Sequence, residues 1–141
     1  MRVLGLTPIL NVSDVEASIA WFELLGWRAR WTFSDGEPDG GSPATFAAVA
    51  SDGAEIFLCR DGQGSRGERR PSFPGDDSTD GVWMTWWLDT PADVDAAHAL
   101  AVERGLDVVW PPTDEPWGVR EFHLRHLDGH TFRVSSGLPS E

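Results

Sequence analysis

Three kinds of side chain in this sequence could do chemistry. Histidines crowd one short stretch, at His123, His126 and His130, and a fourth stands apart at His98. Imidazole nitrogens are metal ligands and proton carriers, so three within eight residues invite a test for chelation. His123 and His126, however, would point to opposite faces of a regular strand, a poor start for a shared ion. They are read here as surface histidines around a turn, and His98, near Asp95 and Glu103, as a solvated one. The single cysteine, Cys59, ends an apolar stretch and reads as an inert thiol. It leaves no intramolecular disulfide and fits a reducing, cytoplasmic setting. Aromatic rings are the third kind: eight Trp and seven Phe, with no Tyr. That is more tryptophan than a core of this size needs, so some of it is available to face a ligand. Glycine-rich phosphate loops, nucleophile elbows and Cys-x-x-Cys pairs do not occur.

Charge narrows the partner. All 11 basic residues are Arg, against 23 acidic ones, giving a net charge of -12. The excess is spread along the chain: -4 over residues 1–60, -2 over 61–80 and -6 over 81–141. Duplex nucleic acid needs a basic face and is excluded as a partner, while a neutral or cationic small molecule is accommodated. Arg66, Arg69 and Arg70 sit among acids and read as solvated loop. No apolar run is long enough to span a membrane, and the N-terminus carries no secretory pattern.

The elements that must position these residues come in one order, written twice. Val3 to Val12 reads as a strand. Ser13 caps a helix whose apolar stripe is Val15, Ile19, Phe22 and Leu25, and Gly26 stops it. Strands follow at Trp27 to Phe33, Ala44 to Val49 and Glu55 to Cys59, separated by the turn-rich Ser34 to Pro43 and Ser51-Asp52-Gly53. After a polar, glycine-rich stretch, Val82 to Asp89 is again a strand. Thr90 caps a helix with Pro91 at its first position, striped by Val94, Ala97, Leu100 and Ala101 and ended by Gly105. Leu106 to Trp110, Glu121 to Arg125 and Thr131 to Ser135 complete the set. Residues repeat with the pattern: Asp14-Val15-Glu16-Ala17 returns as Asp93-Val94-Asp95-Ala96, Gly26 as Gly105, and Trp31 as Trp110. The chain is therefore read as a single α+β domain of two βαβββ repeats, residues 3–60 and 81–136, joined by a flexible loop at 61–80.

This doubled module resembles the vicinal oxygen chelate superfamily, also called the glyoxalase/bleomycin-resistance/dioxygenase group. Glu115-Pro116-Trp117-Gly118-Val119-Arg120-Glu121-Phe122, followed by Leu124-Arg125 and Asp128-Gly129, is similar to the most recognisable stretch of its bleomycin-resistance-type binders. Ala54-Glu55-Ile56-Phe57-Leu58 and Trp83-Met84-Thr85-Trp86-Trp87-Leu88 are similar as well. The resemblance implies two mostly antiparallel sheets forming a half-open cup around a cleft, and a homodimer. Enzymes of the group hold a divalent metal with His, Gln or Glu from the first and last strands of each module. The matching positions here are Thr7, Phe57, Trp83 and Arg133, none a conventional ligand, and the three clustered histidines lie elsewhere. No metal and no other cofactor is expected.

With Phe57 and Trp83 in place of ligands, the implied cleft is an aromatic trough. Alternation puts Thr85 and Trp87 on the face of Trp83, with Met84, Trp86 and Leu88 opposite, and Glu55 and Cys59 on the face of Phe57. Trp117 belongs to a loop that in the resembling binders lies against the ligand. The expected contacts are Thr7, Phe57, Cys59, Trp83, Thr85, Trp87, Trp117 and Arg133. Trp21, Trp27, Trp31 and Trp110 are assigned to packing. The function so implied is sequestration, without turnover, of a flat, partly cationic, antibiotic-like compound. Two alternatives stand beside it: an enzyme of the superfamily, a lyase or dioxygenase with a rebuilt site, and a module that uses its tryptophans against a partner protein.

Overall fold

The computed structural model describes residues 1–36 and 41–140 and divides into two compact units, Met1–Ser65 and Arg66–Glu141. In the first, β1 (Ile9–Val12), α1 (Val15–Glu23), β2 (Arg28–Phe33), β3 (Phe46–Ser51) and β4 (Ala54–Arg60) form a sheet of order β1-β4-β3-β2. The β1–β4 pair is parallel and the other two are antiparallel. The second unit repeats this with β5 (Trp83–Trp87), α2 (Pro91–Glu103), β6 (Asp107–Glu115), β7 (Val119–Arg125) and β8 (Thr131–Gly137), in the order β5-β8-β7-β6. Again the first and last strands pair in parallel and the others run antiparallel. The fold is α+β, two βαβββ modules each built on a mixed four-stranded sheet.

One face of each sheet lies under its helix. In the first unit Leu10, Val12, Ala47, Val49, Ile56 and Leu58 are buried on the same side as Val15, Ile19 and Phe22 of α1. In the second, Phe122, Leu124, Phe132 and Val134 do the same under Val94 and Ala101 of α2. A fully buried Phe stabilises by about 2 kcal/mol, so Phe22, Phe122 and Phe132 anchor the two cores. Trp86 joins the second core, stacked on Phe132 at 4.4 Å between centroids.

The helix starts differ in one detail from the sequence expectation. Asp14, not Ser13, is the N-cap of α1, its side chain accepting from the Ala17 amide at 3.0 Å. Thr90 and Asp93 form a reciprocal capping box, with Pro91 in the first turn. Both helices are followed by a glycine at positive φ, Gly26 at 88° and Gly105 at 71°. The expected turn-rich segment 34–43 includes residues 37–40, which lie outside the described residues.

Two larger departures matter for function. The first strand begins at Ile9, six residues later than its apolar pattern suggested. Val3, Leu4 and Leu6 are 71–86% exposed, because pairing with β4 starts only where Ile9 meets Phe57. The joining stretch, expected as a flexible loop, is hydrogen-bonded at several points along its length. Asn11 holds Gly62 and Gly64 through two 2.9 Å hydrogen bonds to their carbonyls. Further on, Gly67 donates to the Asp128 carbonyl, Gly75 to that of Val109, both at 2.6 Å, and Thr79 to that of Gly129. Residues 66–80 are thus a strap laid along the second unit.

Candidate functional site

The face of the second sheet not covered by α2 carries the chemistry. Its register sets Trp83, Thr85 and Trp87 of β5 beside Thr131, Arg133 and Ser135 of β8. These in turn lie beside Arg125, His123 and Glu121 of β7, and Trp110 of β6 stands opposite His123. A carboxylate is buried here: Glu121 is 2% exposed. Burial alone would raise its pKa, and the loss of hydration costs several kcal/mol. Hydrogen bonds from Arg133 and Ser135 and the Arg133 charge outweigh that and hold the carboxyl below its usual value. Arg133 reaches one Glu121 oxygen with both Nε and Nη2, and Ser135 Oγ donates to the other at 2.7 Å. The Arg133 guanidinium lies over the Trp117 ring, 5.4 Å from its centroid.

Next to this pair is a cavity of about 310 Å³, the size at which small-molecule sites begin. Trp83, Trp110 and Trp117 are walls, His123 and Val109 lie between them, and Glu115 and the strap residues Gly75, Asp76 and Asp77 close the side. Trp83 meets His123 edge-on at 5.6 Å, and Trp110 lies 6.4 Å from the same imidazole. Burial lowers the His123 pKa, more than its contact with Glu121 at 3.5 Å raises it, so the ring is neutral near pH 7. Trp110 Nε1 donates to Glu115 at 3.2 Å, fixing that carboxylate at the rim. Trp83 is 39% and Trp117 60% exposed, leaving indole surface for a ligand to cover.

Of the expected contact residues, the structure brings Trp83, Thr85, Trp117 and Arg133 to this one region. Trp83 and Trp117 line the cavity, Arg133 braces Trp117 from beside it, and Thr85 is the strand neighbour of Arg133. Trp87 shares the sheet face but is 68% exposed and does not line the cavity. Thr7, Phe57 and Cys59 belong to the first unit. Thr7 is exposed ahead of β1, and Phe57 packs in a ring cluster with Trp31 and Phe46 at 5.3–5.4 Å. Cys59 is half-buried opposite Phe46 and Asn11 in the register.

The candidate cavity and its surroundings also take in Glu121, His123, Glu115, Trp110 and the strap, which lie outside the expected contact set. Trp110, expected to pack like its repeat partner Trp31, lines the cavity and donates to Glu115. The signal available was alternation, which puts Glu121 and His123 on one strand face. The other histidines are not on the surface. His126 and His130 are 2% and 0% exposed, and their Nδ1 atoms accept from the Asp128 and Val82 amides at 3.0 and 2.9 Å. His98 is half-buried, edge-on to Phe122 at 5.3 Å. Nor is Arg70 simply solvated: it pairs with buried Asp76 at 3.2 Å.

The family's four metal positions do not suit a metal. Phe57 and Trp83 offer no donor atom, and Arg133 is a cation committed to Glu121. Among the described residues, no three His, Cys, Asp or Glu are grouped to hold one elsewhere.

The chain belongs to the glyoxalase/bleomycin resistance protein/dioxygenase superfamily, whose model matches residues 4–134. Solved structures share the fold at low identity. TioX from Micromonospora sp. ML1 is 22% identical over 94% of this chain and 98% of its own, with a TM-score of 0.68. A glyoxalase-related enzyme from Clostridium phytofermentans is 20% identical over 98% of each chain, at 0.70. A bleomycin resistance determinant encoded on transposon Tn5 is 16% identical over 96% of this chain and 98% of its own, at 0.64. No curated protein matches the chain.

Proposed function

We propose that this protein binds a planar, antibiotic-like small molecule and sequesters it without transforming it. The observation that carries this reading is the cavity of about 310 Å³ walled by three indoles. Aromatic faces that are partly open to solvent gain both apolar burial and stacking when a flat ring covers them. Arg133 is not a loose charge at this site, because Glu121 neutralises it and fixes it behind Trp117. A rigid indole is a better stacking platform than a mobile one, since less side-chain freedom is lost on binding.

Titration of the purified protein with bleomycin-type and other intercalating compounds, followed by tryptophan fluorescence, tests the reading. A saturable change supports it, and silence across the whole panel removes it. Elemental analysis addresses the enzymatic alternative: one Fe, Mn, Ni or Zn held tightly per chain would overturn a metal-independent binder. The homodimer implied by the family resemblance is part of the same reading. Sedimentation velocity measures it, the mass of two chains supporting it and that of one chain removing it.

A further inference from the structure

We propose that the ligand presents an aromatic hydroxyl to the cavity, and that Nδ1 of His123 accepts its hydrogen. The inference rests on the binding reading above and adds the group on the ring's edge that the site selects.

It follows from how the histidine nitrogens of the β7–β8 hairpin are used. Nδ1 of His126 accepts from the Asp128 amide and Nδ1 of His130 from that of Val82, at 3.0 and 2.9 Å. His123 is placed differently. Its Nε2 lies 3.5 Å from Glu121 Oε1, and that carboxyl, although buried, is kept ionised by Arg133 and Ser135. An ionised carboxylate has no hydrogen to give, so the imidazole hydrogen belongs on Nε2, and Nδ1 is the accepting nitrogen. Among the described residues nothing donates to that Nδ1, and it is not sealed from solvent. The side chain is 18% exposed and lines the cavity. One unmet acceptor therefore stands in a space walled by three indoles. Glu121 serves twice: it fixes Arg133 behind Trp117 and sets the tautomer of His123.

The neighbours decide what can reach this nitrogen. Trp83 meets the imidazole edge-on at 5.6 Å between centroids and Trp110 lies 6.4 Å from it, so the approach is narrow. A hydroxyl in the plane of a stacked ring is one heavy atom wide, and its hydrogen rotates toward the acceptor. A charged, strongly hydrated group would first have to be stripped of its water. A carboxylate would bring no hydrogen and would be repelled by Glu115 and Asp77 at the rim. Those two acids do not compete for the hydroxyl on equal terms. Asp77 is exposed and hydrated, and Glu115 already accepts from Trp110. A flat ligand without a donor at this edge would cover Nδ1 and leave it unpaired, which costs more than a missing contact. Selection of the hydroxyl is thus assigned to His123, and stacking to Trp83 and Trp117.

Calorimetric titration of the full chain with naphthol and with methoxynaphthalene, its methyl ether, isolates the hydroxyl. Naphthol should bind about tenfold more tightly, the ratio expected when one ligand satisfies a covered acceptor and the other strands it. In His123→Phe, which keeps a flat ring and removes the acceptor, the two affinities should converge. A thermal melt checks that this variant is folded. Histidine nitrogen NMR asks the same question of the unmodified protein: naphthol should shift the His123 Nδ1 resonance far more than the ether does. Equal affinities for the two compounds in the unmodified protein would overturn the hydroxyl inference and leave the stacking site standing. A gap that survives in His123→Phe, or an Nδ1 resonance that responds alike to both compounds, would overturn the assignment to His123. Failure of both compounds to bind would remove the inference and the binding reading together.

Discussion

Glu121 is the residue on which the geometry of the site turns. Its two oxygens hold Arg133 and Ser135, and through Arg133 they set the platform beneath Trp117. Glu121→Ala would leave Arg133 unanchored. Because Arg133 is itself about a third exposed and can rehydrate, the expected loss is moderate, about 2 kcal/mol in a urea titration. Glu121→Gln, which keeps an acceptor, should lose less. The titrating groups give a direction with pH. Burial, with repulsion from His130 and Arg69, holds His126 well below its usual 6.5. Between its folded value and 6.5 the unfolded chain binds the extra proton, so stability falls as pH drops below 6.5. Glu121, depressed from 4.5, contributes stability that is present above 4.5 and lost as pH falls through its folded value. Urea midpoints from neutral to acid pH should fall in two stages. His126→Asn should reduce the first, and a first stage unchanged in that variant would contradict the assignment.

At the scale of elements, the glycines where the strap meets the last turn are as exacting as the core. Gly129 has φ 79°, and a Cβ there would lie 2.6 Å from Gly67 Cα and 3.0 Å from Thr79 Oγ1. Gly129→Ala should therefore destabilise by more than the roughly 1 kcal/mol of a simple glycine effect and loosen the strap. Limited proteolysis would show this as faster cleavage within residues 66–80. Thr90→Ala, which breaks the α2 capping box, should lower stability by about 1 kcal/mol without touching ligand affinity. These elements also show what the sequence makes legible. Helix stripes, Thr90, Pro91, the glycine stops and strand alternation are local signals, and they place both modules. Strand length at Val3–Pro8 is not local: Val3, Leu4 and Leu6 look strand-like, but among the described residues the β1 pairing begins only where Ile9 meets Phe57. The strap reads as linker because its composition is polar and glycine-rich, while its anchors, Asp128, Val109 and Gly129, lie far along the chain. His126 and His130 are buried for a similar reason, their ring nitrogens being satisfied by backbone amides that composition does not reveal. The same holds within the site. Trp83 and Trp117 stand out by type and motif, whereas Glu121 and His123 matter through a register that only the folded sheet defines.

For the whole molecule, the net charge of -12 acts on any charged ligand that approaches it. Its field would favour a positively charged ligand over a negatively charged one. The affinity of any cationic planar ligand should consequently fall as salt is raised, whereas that of a neutral one should hold, since screening acts on the charge alone. Membership of the superfamily fixes the doubled scaffold and leaves its use to the site, as a shared fold hosts unrelated activities. In this chain the candidate site is an aromatic cavity beside the Arg133–Glu121 ion pair. Binding at Trp117 without turnover is open to one direct experiment. A bleomycin-type compound is titrated against the unmodified protein and against Trp117→Ala, and the compound recovered from each mixture is examined by mass spectrometry. Predicted are saturable binding, an affinity about tenfold weaker in Trp117→Ala, the scale of a lost stacking contact, and a ligand returned unchanged. Equal affinity in the two proteins, or a chemically altered ligand, would contradict it.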